Sequence, residues 1–345
     1  MLKAMGRPPL KTVAGLAGVS EPTVSRVLNA RPGVAAETRA RVVDALGQLG
    51  YDAPELAPAR RNTIGVVTGE LTNPVFPTIA HHLAAELGKH GFLTTVALAD
   101  QQLTPEERCV AELLDNSVDG LVLVGGRHAE VDHGLELYQE LLDEGMPFVL
   151  VNGRATTLET PQVYCDEGAG ARQAVAHLVE LGHQRIGCLL GTERFVPTHR
   201  FVSGYRTAMA AAALQEPDDA IVETLFTLEG GRAGATRLLQ RGITGIIAGN
   251  DLMALGSIHA ATRAGLDVPA EVSVVGYDGT DLTALTNPPL TTLRQPFEDM
   301  AQLVVDALLS EIDGSRRFRD LYVFEPQLVA RETTAARRPL VGHRR

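Results

Sequence analysis

Between residues 64 and 275, short runs of Val, Ile and Leu alternate with longer stretches whose apolar residues recur at helical spacing, and few architectures accommodate that rhythm. Residues 64–67, 93–98, 120–124, 148–151, 186–190, 221–225, 245–248 and 272–275 read as strands. Helices are expected over 75–90, 105–116, 131–144, 168–181, 200–213, 231–241 and 252–264. Unbroken apolar strands separated by helices belong to parallel sheets covered on both faces. About ten strands divide more readily between two sheets than crowd into one. The body of the chain is therefore expected to be α/β, with two parallel sheets.

Residues 1–61 stand apart from this pattern. They hold nine Lys/Arg against five Asp/Glu, a net of +4, so the rest of a chain of net charge −11 carries −15. A small basic head on an acidic body is the asymmetry expected when only the head meets a polyanion. A length of 345 residues suits one small domain and one large one. No apolar run approaches the roughly 20 residues needed to span a bilayer, so no membrane partner is expected. Met1 to Pro9 lack the apolar core of a secretion signal, so a cytoplasmic chain is expected. Cys109, Cys165 and Cys188 are far apart with no CxxC pair. That argues against a metal knuckle or disulfide framework, suits a reducing compartment, and leaves no metal or cofactor to expect.

Three short helices read within the head. Leu10, Val13, Ala14 and Ala17 fall on one helical face, and Gly18 stands where that helix would stop. Ser20 can cap a second helix with its hydroxyl, and Pro22 falls in the first turn, where its missing N–H costs little. Val24, Val27 and Leu28 form the buried stripe. A third helix is expected over 36–49, closed by Gly50 and Tyr51. Two short helices joined by a Gly-containing turn, the second opening on polar residues, form a helix-turn-helix. Its second helix would enter the major groove of duplex DNA by its N-terminal end. Glu21, Pro22 and Thr23 would then face base edges, with Ser25, Arg26 and Asn29 reaching phosphates or flanking bases.

The run Val13-Ala14-x-x-Ala17-Gly18-Val19-Ser20-x-x-Thr23-Val24-Ser25-Arg26-Val27-Leu28-Asn29 closely resembles the head of the lac-repressor (LacI/GalR) family. So does Val34-x-x-x-Thr38-Arg39-x-x-Val42, leading into Leu49-Gly50-Tyr51. The resemblance implies that Thr12, which replaces a usual acidic residue, and Thr38 join the DNA-contacting set. In that family a segment after the third helix becomes helical on DNA, and an apolar side chain wedges into the minor groove. Here the segment carries Pro54, places Arg60 where the wedging leucine stands, and is about four residues short. A weakened or absent hinge helix is expected, with Leu56 the apolar residue left to serve as wedge.

The resemblance continues through Asn73-Pro74-Val75-Phe76, Asp119-Gly120-Leu121, Gly182-His183-x-Arg185-Ile186, Asn250-Asp251-x-Met253-Ala254-x-Gly256, Val272 to Asp278 and Pro289-Leu290-Thr291-Thr292. It implies a periplasmic-binding-protein-like pair of lobes, crossed three times by the chain, with a ligand cleft between them. The expected organisation is a DNA-binding domain at 1–52, a linker at 53–61, a sensor at 62–335 and a disordered basic tail at 336–345. The first lobe would take about 62–161 and 292–322, the second 162–290 and 323–335. The tail shows no apolar heptads, so no tetramerising coiled coil is expected.

Ligands of open parallel sheets sit outside the carboxyl ends of strands. Asn250 and Asp278 each follow a strand and suit ligand hydroxyls or amides. Phe76 and Phe226 can stack on a ring, a role left to Phe or Tyr in a chain without Trp. By resemblance, Gln295 also belongs to the cleft. The family places a ligand-gripping Arg three residues before the glycine matching Gly204; Phe201 holds that spot here and Arg200 lies one earlier. One residue rotates a helical side chain by about 100°. Either the chain bulges locally to restore Arg200, or the ligand is held differently.

The resemblance implies a transcriptional repressor that reads a pseudo-palindromic operator as a homodimer and is switched by a small molecule, a sugar or related metabolite. An enzyme on a doubly wound fold is the rival class. No GxxxxGK[ST] or GxSxG occurs, Gly168-x-Gly170 stops short of a complete GxGxxG, and His81-His82 lack metal-ligand spacing. A plain solute-binding receptor would explain the lobes but not the basic head.

Overall fold

The computed structural model describes residues 10–28, 34–49, 62–100, 104–131, 134–155, 157–217, 219–318 and 321–337. The head is three helices, α1 (Leu10–Ala17), α2 (Glu21–Leu28) and α3 (Ala36–Gln48). Val13, Ala14 and Ala17 of α1 pack against Val24 and Val27 of α2 and Val42, Ala45 and Leu46 of α3. Gly18 ends α1 with φ of +64°, a left-handed conformation that any side chain would strain. The Val19 N–H then turns back to the Ala14 carbonyl at 3.1 Å. Ser20 caps α2, its Oγ accepting from the Thr23 N–H at 3.3 Å.

The body contains two six-stranded sheets. The first joins β1 (Thr63–Thr68), β2 (Leu93–Leu98), β3 (Gly120–Val124), β4 (Phe148–Val151), β5 (Gln162–Cys165) and β11 (Leu321–Phe324), in the order β11-β5-β4-β3-β1-β2. The second joins β6 (Ile186–Leu190), β7 (Ile221–Glu223), β8 (Gly245–Ala248), β9 (Ser273–Asp278), β10 (Thr291–Arg294) and β12 (Gln327–Val329), in the order β12-β10-β9-β8-β6-β7. Every pairing is parallel except that of β10 with β12. This is the doubly wound arrangement expected of the sequence rhythm.

Side chains alternate across each sheet. Val66, Val122 and Val149 face α4 (Val75–Lys89) and α11 (Phe297–Ile312). Val67, Leu123 and Leu150 face α5 (Glu106–Asp115) and α6 (Glu136–Glu144). In the second lobe, Ile186, Cys188 and Ile247 meet α7 (Glu167–Glu180) and α8 (Val196–Ala211). Leu189, Ile246 and Val274 meet α9 (Leu228–Gln240) and α10 (Asp251–Arg263). The three cysteines are buried and unbridged.

The chain passes between lobes after β5, after β10 and after β11. All three crossings fall later than expected: residues 162–165 and 321–324 belong to the first sheet and 291–294 to the second. Each strand pairs fully before the chain leaves its lobe. The helix expected over 131–144 begins only at Glu136; ahead of it, the Val131 N–H donates to the Arg194 carbonyl at 2.9 Å. Helix α8 begins four residues early, at Val196, since Pro197 is tolerated in a first turn. Nor are residues 336–337 a free tail: the Arg337 N–H donates to the Leu181 carbonyl at 2.8 Å. The rest of the tail, 338–345, lies outside the described residues.

Candidate functional site

Thr12, Ser20, Glu21, Pro22 and Arg26 are exposed; Thr23, Ser25 and Thr38 are half-buried. The two hydroxyls that open α2 are bonded to each other, Ser20 Oγ to Thr23 Oγ1 at 2.8 Å, so Thr23 also serves the cap. Asn29, Leu56 and the whole linker lie outside the described residues.

The body holds a cleft of about 630 Å³ between the lobes, lined from the carboxyl ends of both sheets. Phe76, Phe226, Asn250, Asp278 and Gln295, all expected there from the sequence, line it. Phe76 opens α4 and lies against Gly125, where a Cβ would sit 3.5 Å from its ring. Phe226 packs over Gly191, where a Cβ would overlap the ring, and tilts against Phe195 at 6.4 Å between centroids. Asn250 caps α10, its Oδ1 accepting from the Met253 N–H at 2.8 Å, while its Nδ2 donates to the Phe226 carbonyl at 3.1 Å. It is thus a brace for the cleft wall with its amide already committed.

Asp278 ends β9 with φ of +104°. Its Oδ1 accepts from Gln295 Nε2 at 2.8 Å, and the Gln295 N–H returns to the Asp278 carbonyl at 3.0 Å. Burial, and then the neighbouring Asp251, push the Asp278 carboxyl well above the ordinary carboxylate range. Asp251 itself is held by the N–H groups of Gly279 and Thr280 at 3.0 and 3.1 Å and by Thr292 Oγ1 at 2.6 Å. Polar atoms without a protein partner also line the cleft: Thr68 Oγ1, Thr198 Oγ1 and Gln295 Oε1.

Against this geometry stand the comparisons. Residues 9–53 match the model of the bacterial regulatory proteins of the lacI family, and residues 175–334 match a periplasmic binding protein-like domain. The HTH-type transcriptional regulator MalR of Streptomyces coelicolor is 42% identical over 332 residues, covering 95% of this chain and 96% of the relative. The chain belongs to the lacI family. Two solved structures extend the likeness to three dimensions. The transcriptional regulator CelR in complex with cellobiose has a TM-score of 0.70 at 31% identity, covering 95% of this chain and all of the other. The lac repressor dimer bound to operator and the anti-inducer ONPF has a TM-score of 0.70 at 30% identity, covering 96% and 100%.

This lacI-family chain is therefore a DNA-binding transcriptional regulator and not an enzyme. Among the described residues, no helix is long and apolar enough to cross a membrane, and no three His, Cys, Asp or Glu side chains converge as metal ligands.

One site residue is placed differently from its family counterpart. Helix α8 runs unbroken from Val196 to Ala211, so no bulge restores Arg200 to the cleft. Its Nη1 lies 2.9 Å from Glu167 Oε2, and its guanidinium lies 3.7 Å over the Tyr164 ring. Phe201 lines the cleft in its stead.

Several lining residues of the lacI-family chain escaped the sequence reading: Glu106, Arg127, Glu130, Glu167, Arg194 and Phe195. Glu106 opens α5 and Glu167 opens α7, where acids are favoured by the helix dipole and read as ordinary surface residues. The available signal was positional, since each follows the end of a strand or opens the helix after it. The Glu106 carboxylate accepts from Tyr138 Oη at 3.0 Å and from the Arg127 N–H at 2.9 Å. Burial raises its pKa. Burial likewise pushes the Glu167 carboxyl up to about 7, with Arg200 pulling the other way.

Proposed function

We propose that this regulator is a cytoplasmic repressor that grips a pseudo-palindromic operator as a homodimer and changes its grip when a sugar or related metabolite occupies the cleft between its lobes. One observation carries the sensor half of this reading: Thr68, Thr198 and Gln295 each line the cleft with a buried polar atom that no protein group satisfies. An orphaned buried polar atom is costly, and a ligand hydroxyl, at once donor and acceptor, satisfies any of the three. The aromatic faces of Phe76, Phe195 and Phe226 supply the apolar contact that a sugar ring also needs. The cellobiose held by the 31% identical CelR supports the same class.

For the DNA half, the exposed opening turn of α2 supports major-groove contact by Glu21, Pro22 and Thr23, with Ser25, Arg26, Thr12 and Thr38 serving the backbone. The dimer and operator in the lac repressor structure support a two-fold assembly. The effector acts by binding the DNA-competent and incompetent forms with different affinity. A thermal-shift screen of saccharides with the full chain, followed by DNA binding in the presence of each hit, tests both halves. A hit that raises the melting midpoint and alters DNA affinity is expected. A full panel without a shift would overturn the sensor role.

A further inference from the structure

The charge of the cleft deepens that reading and rests on it. Six carboxyl side chains line the cavity: Glu70, Asp100, Glu106, Glu130, Glu167 and Asp278. Two guanidinium groups line it, and carboxylates already hold both. Arg127 Nη1 lies 2.6 Å from Glu107 Oε1, and Arg194 Nη2 lies 3.4 Å from Glu130 Oε1. A third cation, Arg200, pairs with Glu167 through Nη1 and lies over the Tyr164 ring; its Nη2 is buried without a hydrogen-bond partner, and Arg200 is not among the residues that line the cleft. No Lys lines the cleft.

A carboxylate or phosphate entering this space would shed its water among acidic side chains and find, among the described residues lining the cleft, no cation that a carboxylate does not already hold. The cavity already disfavours negative charge, for burial raises the carboxyls of Glu106 and Asp278 above their ordinary range. Its unsatisfied atoms, by contrast, include the hydroxyls of Thr68, Thr198 and Tyr277 and the amide oxygen of Gln295, which suit neutral hydroxyl partners.

We propose that the cleft admits uncharged polyhydroxylated ligands and excludes phosphorylated and carboxylated ones, and that the Glu167–Arg200 pair sets this selection. Arg200 stands one helical position from a place on the cleft wall, and that place is taken by Phe201. Glu167 draws the guanidinium aside and cancels its charge, so an anion finds apolar surface where a cation would have received it.

The test uses the full chain and matched probes: glucose, ribose and cellobiose against glucose 6-phosphate, ribose 5-phosphate, glucuronate and inorganic phosphate, read by thermal midpoint and calorimetric titration. In the wild type, only uncharged compounds are expected to bind, with the phosphorylated counterpart of any hit weaker by about tenfold or more. Glu167→Gln releases Arg200, so it should narrow that gap by about tenfold and let inorganic phosphate raise the midpoint. Adding Arg200→Met to Glu167→Gln should abolish the phosphate response. Glu106→Gln leaves the ion pair intact and should narrow the gap less, which keeps the idea testable should Glu167→Gln fold poorly.

A phosphorylated or carboxylated compound that binds the wild type as tightly as its uncharged parent would overturn the proposal and leave the sensor role standing. Equal discrimination by the wild type and by folded Glu167→Gln would overturn the role of the ion pair. No response to any probe would remove the sensor reading itself, and this proposal with it.

Discussion

Arg194 of the second lobe reaches Glu130 of the first, Nη2 to Oε1 at 3.4 Å, and joins the lobes where no chain crosses. Beside the pair, the Val131 N–H donates to the Arg194 carbonyl at 2.9 Å, and Glu130 and Phe195 form an antiparallel bridge. A ligand in the cleft is thus spanned by a clasp as well as by the three crossings. Arg194→Ala should loosen the clasp, enlarging the radius of gyration in small-angle scattering and speeding release of any bound saccharide. Arg194 is half exposed, so a double-mutant cycle with Glu130→Gln should return a coupling of only about 0.2–1 kcal/mol. Additive effects of the two changes would show that the ion pair adds nothing to the backbone bridge.

The buried carboxyls give stability a pH dependence of defined sign. In the unfolded chain they lose their protons near pH 4, whereas in the folded chain burial raises Glu167 to about 7 and Asp278 well above the ordinary carboxylate range. The folded state binds more protons between those values, so stability falls as pH rises. Buried His128, lowered to about 4, works in the opposite sense below pH 6.5, which leaves the carboxyls exposed to measurement above it. Asp278→Asn keeps an acceptor for Gln295 Nε2 and removes the charge. It should melt higher than the wild type at pH 8 and show a shallower decline from pH 6.5 to 8. Identical slopes would refute the burial argument.

Helices α7 and α8 cross with two glycines face to face. A Cβ on Gly204 would stand 2.2 Å from the Gly168 carbonyl oxygen and 2.6 Å from its Cα, and backbone cannot swing aside as a side chain does. Gly204→Ala should cost about 1–3 kcal/mol in denaturant titration. Glu167 rides on α7 and Arg200 on α8, so the same change should stretch their ion pair and weaken the rejection of phosphate.

Ser20→Ala deletes the α2 cap and frees the Thr23 hydroxyl, a loss of about 1 kcal/mol expected in thermal unfolding of the head. Arg26→Ala should weaken binding to all duplexes alike and flatten the salt dependence, whereas changes at Glu21 or Thr23 should alter which bases are preferred. A sequence preference altered by Arg26→Ala would misplace α2 on the DNA.

The doubly wound body was legible because parallel strands buried on both faces write themselves as unbroken runs, such as Gly120–Val124 and Ile186–Leu190. The head was legible because Ser20, Pro22 and Gly18 act through local geometry. The short strands β5, β10 and β12 were not, for Thr and Gln on a strand of three or four residues leave little periodic signal. Helix α11 was obscured because it is apolar around much of its girth, packing on the first sheet beside α4. In the cleft, residues following strands were found by position, but the acids that open α5 and α7 were hidden by an equally good surface explanation. The direction of Arg200 could not be read at all, since its partner Glu167 lies 33 residues away.

Coupling between cleft and DNA is tested most directly by fluorescence anisotropy on a duplex selected from random sequences with the full chain, titrated with a saccharide that raises the melting midpoint. The affinity of the wild type for that duplex should change by about tenfold or more with saturating saccharide. Asp278→Ala should bind the duplex normally and ignore the saccharide. A wild-type affinity that stays constant at every saccharide concentration would contradict the claim that cleft occupancy governs the grip on DNA.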